Sequence, residues 1–305
     1  MSKAIRIVLI VLVALLVLAI VGVFVANSRY EFLFDAPRVS HETLITPGTS
    51  MRLAVQPPLA KPLLLKMLGD QAPPGWIIDR VMPYEAAVIA APDVHAKHFE
   101  VTLFLNARRA SPYIMEMTKT LRIREKAPFL DWDGDGFTRV QPGVLAIKGT
   151  TAIDDGTAAA VTDHWGVVTI PTRPALEGSH LAELSVDNRD GSLFAMLMLF
   201  ANKGLIELPL RSEDLRDTLA PIATMHLAGD LAGDDDMTIL LTVDCQPTAE
   251  EGEITAVSFA LGGIIGELTK VAQTKGATLS GSKKLNGATI SGVYTLGGVS
   301  KLFGI

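Results

Sequence analysis

Asp131-Trp132-Asp133-Gly134-Asp135-Gly136-Phe137 places three carboxylates at alternate positions, with a glycine after the third. Aspartates at loop positions one, three and five with glycine at six match the front half of a calcium loop: hard oxygens converge on one ion and the glycine permits the tight bend. Asp131, Asp133 and Asp135 are therefore candidate ligands for a structural calcium ion. The back half departs from that pattern. Pro142 stands at position twelve, where a bidentate glutamate belongs, and Phe129-Leu130 and Phe137–Val140 read as strands rather than paired helices. The plainer alternative is an acidic turn between strands.

His95-Ala96-Lys97-His98-Phe99-Glu100 offers two imidazoles and a carboxylate, ligand types that suit zinc. On a helix His95 and His98 would share a face. Ahead of a strand that spacing points them apart, so a polar hairpin turn is expected. Asp163-His164 beside Trp165, and the lone His226, have the types a hydrolase uses as acid and base. No Gly-x-Ser-x-Gly, Ser-x-x-Lys or His-Glu-x-x-His is expected to accompany them, so they read as structural histidines. Cys245 is the single cysteine, which excludes an internal disulfide and a cysteine-built zinc site. It follows Ile239–Asp244 and reads as a strand-end residue. Asp154-Asp155-Gly156 and Asp234-Asp235-Asp236 read as solvated turns. Gly262-Gly263 lies within a helical pattern and lacks the lysine of a phosphate loop.

One stretch decides where any such chemistry would take place. Ile7–Ala26 is twenty residues without a charge or a proline. About 20 helical residues cross a hydrocarbon layer about 30 Å thick, and in lipid only a helix satisfies the backbone of a single segment. Lys3 and Arg6 precede it, which puts the N-terminus in the cytoplasm and the rest outside; Arg29 and Arg38 weaken that bias. The rival is a cleaved signal peptide. Its apolar core is shorter, and Phe24 stands where its cleavage site needs a small residue. A retained single-pass anchor in the inner membrane is the expectation.

The net charge of −6 and pI near 5.5, without a cluster of lysine and arginine among aromatics, argue against a nucleic-acid partner. Residues 1–6 are read as a cytoplasmic terminus, 7–26 as the anchor and 27–50 as a linker. Residues 51–180 and 181–305 are read as two α+β halves.

Strands are expected at Met51–Gln56, Trp76–Val81, Ala86–Ala91, Phe99–Leu105, Phe137–Val140, Val144–Ile147, Val167–Ile170 and Leu184–Val186. Leu59–Leu68 reads as a short helix closed by Gly69, and Ser111-Pro112 opens another. Leu193–Phe200 is apolar on all sides and reads as a buried helix ended by Gly204, with lipid contact as the sharper alternative. Ile222–Leu227 and Met237–Val243 flank an acidic turn as a hairpin. Thr248-Ala249-Glu250-Glu251 reads as a capping box for the longest helix of the body. Ile254, Val257, Leu261, Ile264, Leu268 and Val271 form its stripe, and Gly262, Gly263 and Gly266 require a close neighbour on their face. Its uncharged run between Glu253 and Glu267 is thirteen residues, too short to span a bilayer. Asn286-Gly287 turns the chain into the strand Ala288–Leu296, and Val299–Ile305 is a short apolar tail.

One order recurs: a strand ending in Asn or Asp, a short polar link, then a helix. Asn106, Asp187 and Asp244 mark its instances. The fold class expected is α+β, a mainly antiparallel sheet with helices on one side behind an N-terminal transmembrane helix; two related halves would give this order, and so would ordinary strand–cap–helix grammar without duplication. The layout resembles single-span bacterial envelope proteins. Three functions fit: an outward-facing envelope protein that binds or scaffolds other envelope proteins at the bilayer without catalysis; a lipid or hydrophobic-ligand binder using Leu193–Phe200 and Ile254–Val271; and an envelope hydrolase using acidic residues and His164.

Overall fold

The computed structural model of this chain describes residues 39–93, 97–106, 130–141, 143–159, 180–202 and 211–302. The Ile7–Ala26 span, the helix opening at Ser111, the strand Val167–Ile170, the stop at Gly204, and His95, Asp163 and His164 lie outside the described residues.

The fold is mixed α+β, built on one large antiparallel sheet. Its strands are β1 (Met51–Val55), β2 (Glu85–Asp93), β3 (His98–Asn106), β4 (Asp131–Trp132), β5 (Thr138–Gln141), β6 (Val144–Ala152), β7 (Ala182–Asp187), β8 (Ile222–Leu231), β9 (Asp236–Cys245), β10 (Thr278–Asn286) and β11 (Thr289–Gly297). The order across the sheet is β10-β11-β9-β8-β7-β1-β2-β3-β6-β4, with β5 also on β6. The helices are α1 (Lys61–Leu68), α2 (Gly75–Val81), α3 (Asp155–Ala159), α4 (Ser192–Asn202), α5 (Ser212–Leu219), α6 (Glu251–Thr274) and α7 (Val299–Leu302).

The innermost pair is β1 against β7, with Met51 opposite Val186 and Val55 opposite Ala182. Outward from that seam the order is β1-β2-β3-β6-β5 on one side and β7-β8-β9-β11-β10 on the other. In chain order each side runs as a strand, two helices, a hairpin, an intervening segment, and a second hairpin whose later strand pairs inward.

Alternation sorts the strands onto two faces. Val186, Leu241, Val243, Ile290 and Tyr294 join Leu193 and Phe194 of α4, Leu215 and Leu219 of α5, and Ile254 and Val257 of α6 in the main core. Ala195 and Leu199 of α4 continue it over Ala90 and Phe99, and Met51 and Met196 touch both clusters, so α4 covers the seam. The opposite face of the first half is covered too. Ala54, Ala87, Phe104 and Val144 pack under Val39 and Leu44, beside the turn of 3-10 helix His41–Leu44.

Three expectations are corrected, and one unassigned stretch proves to be a strand. Trp76–Val81 is helix α2, not a strand: Pro74 caps it with extended backbone (φ −48°, ψ 137°), its carbonyl accepts from Ile77 N–H at 2.8 Å, and Ile78 turns inward at 3% exposure while Trp76 stays 62% exposed. The capping box of α6 is Glu250 with Glu253, not Thr248 with Glu251, because Gln246–Ala249 is still a turn and the helical bonding starts from the Glu250 carbonyl, which accepts from Ile254 N–H at 3.0 Å. Thr278–Asn286, unassigned in sequence, is the edge strand β10. Finally, the glycines of α6 do not share a packed face. A β-carbon on Gly262 would meet Lys283, whereas Gly263 and Gly266 face open space.

Candidate functional site

The acidic loop follows from strand pairing. Asp131 and Trp132 pair with Thr150 and Gly149 of β6, with the indole seated on Gly149. The Asp133 N–H then donates to the Lys148 carbonyl at 2.8 Å, and Gly134 turns the chain at φ +101°. Asp131, Asp133 and Asp135 are all exposed. Among the described residues no group of three His, Cys, Asp or Glu side chains is arranged to hold a metal ion.

The other two acidic turns are worked into the structure rather than merely solvated. Asp154 accepts from Thr157 N–H at 2.8 Å and its hydroxyl at 2.6 Å, and these bonds draw its carboxyl below the usual range. Asp235 accepts from Lys66 of α1 at 2.8 Å and from Ser300 N–H at 2.6 Å. The Lys66 hydrogen bond first, then those from Ser300, hold its carboxyl down to about 2.

On the sheet face away from α4–α6, register sets Arg52, Ser185, His226, Thr242 and Ser291 in one row across β1, β7, β8, β9 and β11. Ser185 Oγ lies 2.8 Å from His226 Nδ1, the separation of a nucleophile and its base. Both residues are 0% exposed, and their contact joins strands β7 and β8. Arg52, 2% exposed, lies 3.6 Å from Glu183 and 3.4 Å from Glu42. Burial lowers its pKa against the pull of those carboxylates. His180 Nδ1 sits 2.6 Å from Asp230. His41 sits 2.6 Å from Glu85 and also donates its N–H there at 2.9 Å. Burial pushes the Glu85 carboxyl up, but the bonds from His41 and the charges of His41 and Arg52 outweigh it and leave it lowered. These groups lock strand to strand and fix the His41–Leu44 turn to the sheet.

Sequence reasoning passed over Arg52, Ser185, His41 and His180. Only the strand register and the covering segment reveal them. The expected absence of Ser-x-x-Lys is corrected as well, since Ser280-Gly281-Ser282-Lys283 has that spacing. On a strand those two positions face opposite sides, and the Lys283 ammonium donates to the Ser258 carbonyl. His98 lies 3.8 Å from Glu100. Cys245 is buried, and that burial, with Asp244 and Glu253 nearby, raises its thiol pKa. A cavity of about 210 Å³ is lined by Ala152, Ile153, Asp154, Thr157, Leu199 and Asn202.

The remaining feature is α6. Ile254, Val257 and Ala272 are in the core at its two ends, and Leu261 and Ile265 pack partly against it. Phe259 (76% exposed), Ile264 (46%), Leu268 (54%) and Val271 (56%) face solvent. Among the described residues α6 is the one helix with the length and composition to cross a membrane, and 11% of its most apolar stretch is buried. Of the two segments expected to line an apolar groove, α4 gives Leu193, Phe194, Ala195 and Leu199 to the core, and only α6 offers an open apolar face.

No protein-family model matches this chain, and no curated protein matches it in sequence. A solved structure described as crystal form I of TP0453 aligns over 88% of this chain and 99% of that one, at 12% identity and a TM-score of 0.40. A likeness at that score transfers neither fold nor function.

Proposed function

We propose that this chain is a membrane-tethered binding or scaffolding protein of the bacterial envelope, held by Ile7–Ala26 with its α+β body outside the cytoplasm. The observation that carries the reading is α6. A helix sewn into the core at both ends yet open along Ile264, Leu268 and Val271 is a surface built to be covered. The serine–histidine pair being sealed favours binding over hydrolysis. The shared strand order about the β1–β7 seam supports reading residues 51–180 and 181–305 as related halves.

The test is extraction and co-purification. The intact chain should resist alkaline washing of membranes, and protease on the outer side should cut its body. Gentle solubilisation should bring down a stoichiometric protein or lipid. Release in plain buffer would overturn the tether, and turnover of ester or peptide substrates abolished by Ser185→Ala would overturn the non-catalytic reading.

A further inference from the structure

We propose that α6 is a membrane-surface helix, lying in the headgroup region of an anionic bilayer with Ile264, Leu268 and Val271 turned into the lipid. The proposal rests on the tethered reading and names the partner for its open face.

The stripe has the geometry of a surface helix. Ile264, Leu268 and Val271 recur at four and three residues, one row beside the seam of buried Val257 and half-buried Leu261 and Ile265. Spanning is excluded by the fold, because Val257 at 1% exposure and Ala272 at 4% fix both ends of the row to the core. The helix can only lie on a surface.

Charge selects the surface. Past Glu251 and Glu253 in the first turn of α6, the chain from Ile254 to Leu302 carries five lysines and a single acid, within a protein of net charge −6. That acid, Glu267, is paired with Lys270 at 2.6 Å. Lys270, Lys275 and Lys301 are exposed; Lys301 lies beside Gly276, so the three gather at the C-terminal end of α6. An apolar row ending in exposed cations matches acyl chains below and anionic phosphates around them. A second copy of this chain would bring the same lysines against the first, a like-charge contact.

Tether length makes the surface available. Twelve residues separate Ala26 from Val39, about 40 Å at full extension. A body anchored by Ile7–Ala26 therefore never leaves the neighbourhood of the bilayer.

The full chain is reconstituted in nanodiscs of phosphatidylcholine, with or without phosphatidylglycerol. Leu268→Cys carries an environment-sensitive fluorophore, Ser291→Cys on the opposite sheet face is the control, and the buried Cys245 stays unlabelled. In anionic discs the Leu268→Cys probe should be quenched by lipid-borne nitroxide, and iodide quenching should fall at least threefold against the control. Each lysine near an anionic surface contributes about fivefold, so K270Q/K275Q/K301Q should lower the docked-to-free ratio roughly a hundredfold. A probe equally open to iodide in both discs overturns the proposal. So does a probe shielded in both without nitroxide quenching, which points to a second copy. A chain that fails to stay in discs overturns the tether instead. Adding that chain to anionic vesicles then decides this proposal alone, since nitroxide quenching supports it and its absence ends it.

Discussion

Lys283 of edge strand β10 donates its ammonium to the Ser258 carbonyl of α6, passing over Gly262. Burial lowers the pKa of that ammonium. The bond joins the outermost strand to the helix above it, and it gives the glycines of α6 different roles.

A methyl group at Gly262 would sit 2.9 Å from the Lys283 nitrogen, whereas at Gly263 it would meet nothing. Gly263→Ala should therefore stabilise the chain by about 1 kcal/mol through helix propensity. Gly262→Ala should gain less or lose, because Lys283 must move. Denaturant unfolding of both variants by circular dichroism checks the difference, and equal gains would show that the Lys283 bond contributes little.

Asp235 gives a pH dependence of known sign. Its folded carboxyl is held down to about 2, below the ordinary value near 4. The stability it contributes is complete above the unfolded value and is lost as pH falls through the folded one. The melting temperature of Asp235→Asn should fall less steeply from pH 5 to pH 2 than that of the parent chain. Parallel curves would remove Asp235 from the account.

Arg52 is buried among acids, so truncating it removes the guanidinium that faces the half-buried Glu183 carboxylate, beside His180 at 3.7 Å. Arg52→Ala should cost about 3 kcal/mol. Adding Glu183→Gln should recover part of that loss, and a double-mutant cycle measures the coupling. Additive losses would mean that the two groups act separately.

Trp132 packs on Gly149, where a β-carbon would lie 3.0 Å from the indole. Trp132 is 5% exposed and cannot swing away without leaving the cluster of Phe137, Leu145 and Ile147. Gly149→Ala should cost about 2 kcal/mol and red-shift tryptophan emission as the ring is pushed toward water. Unchanged emission and stability would show that β4 yields freely.

The parts legible in sequence are those with a local signature. The β8–β9 hairpin announced itself by two apolar runs about an acidic turn, and α4 by an unbroken apolar stretch with a polar link ahead of it. Strand β10 hid because an edge strand with Ser, Gly and Lys toward solvent has no alternation to read. Helix α2 misled because Trp76-Ile77-Ile78 suits either period and the choice falls to packing on Ile78. The α6 stripe was read correctly as apolar and periodic, but sequence does not say which apolar faces find a partner. The buried Arg52 and His41 left no trace, since their burial depends on pairing between residues over forty positions apart.

The seam between β1 and β7 bears on how the chain is made. Met51–Val55 leaves the ribosome long before Ala182–Asp187, so its inner edge stays bare throughout the synthesis of everything between them. During that wait, β1 of one nascent chain offers a fitting neighbour to β7 of another. Exchange of whole halves between molecules is thus the misassembly this architecture invites, and a chaperone shielding one short strand would be enough to prevent it.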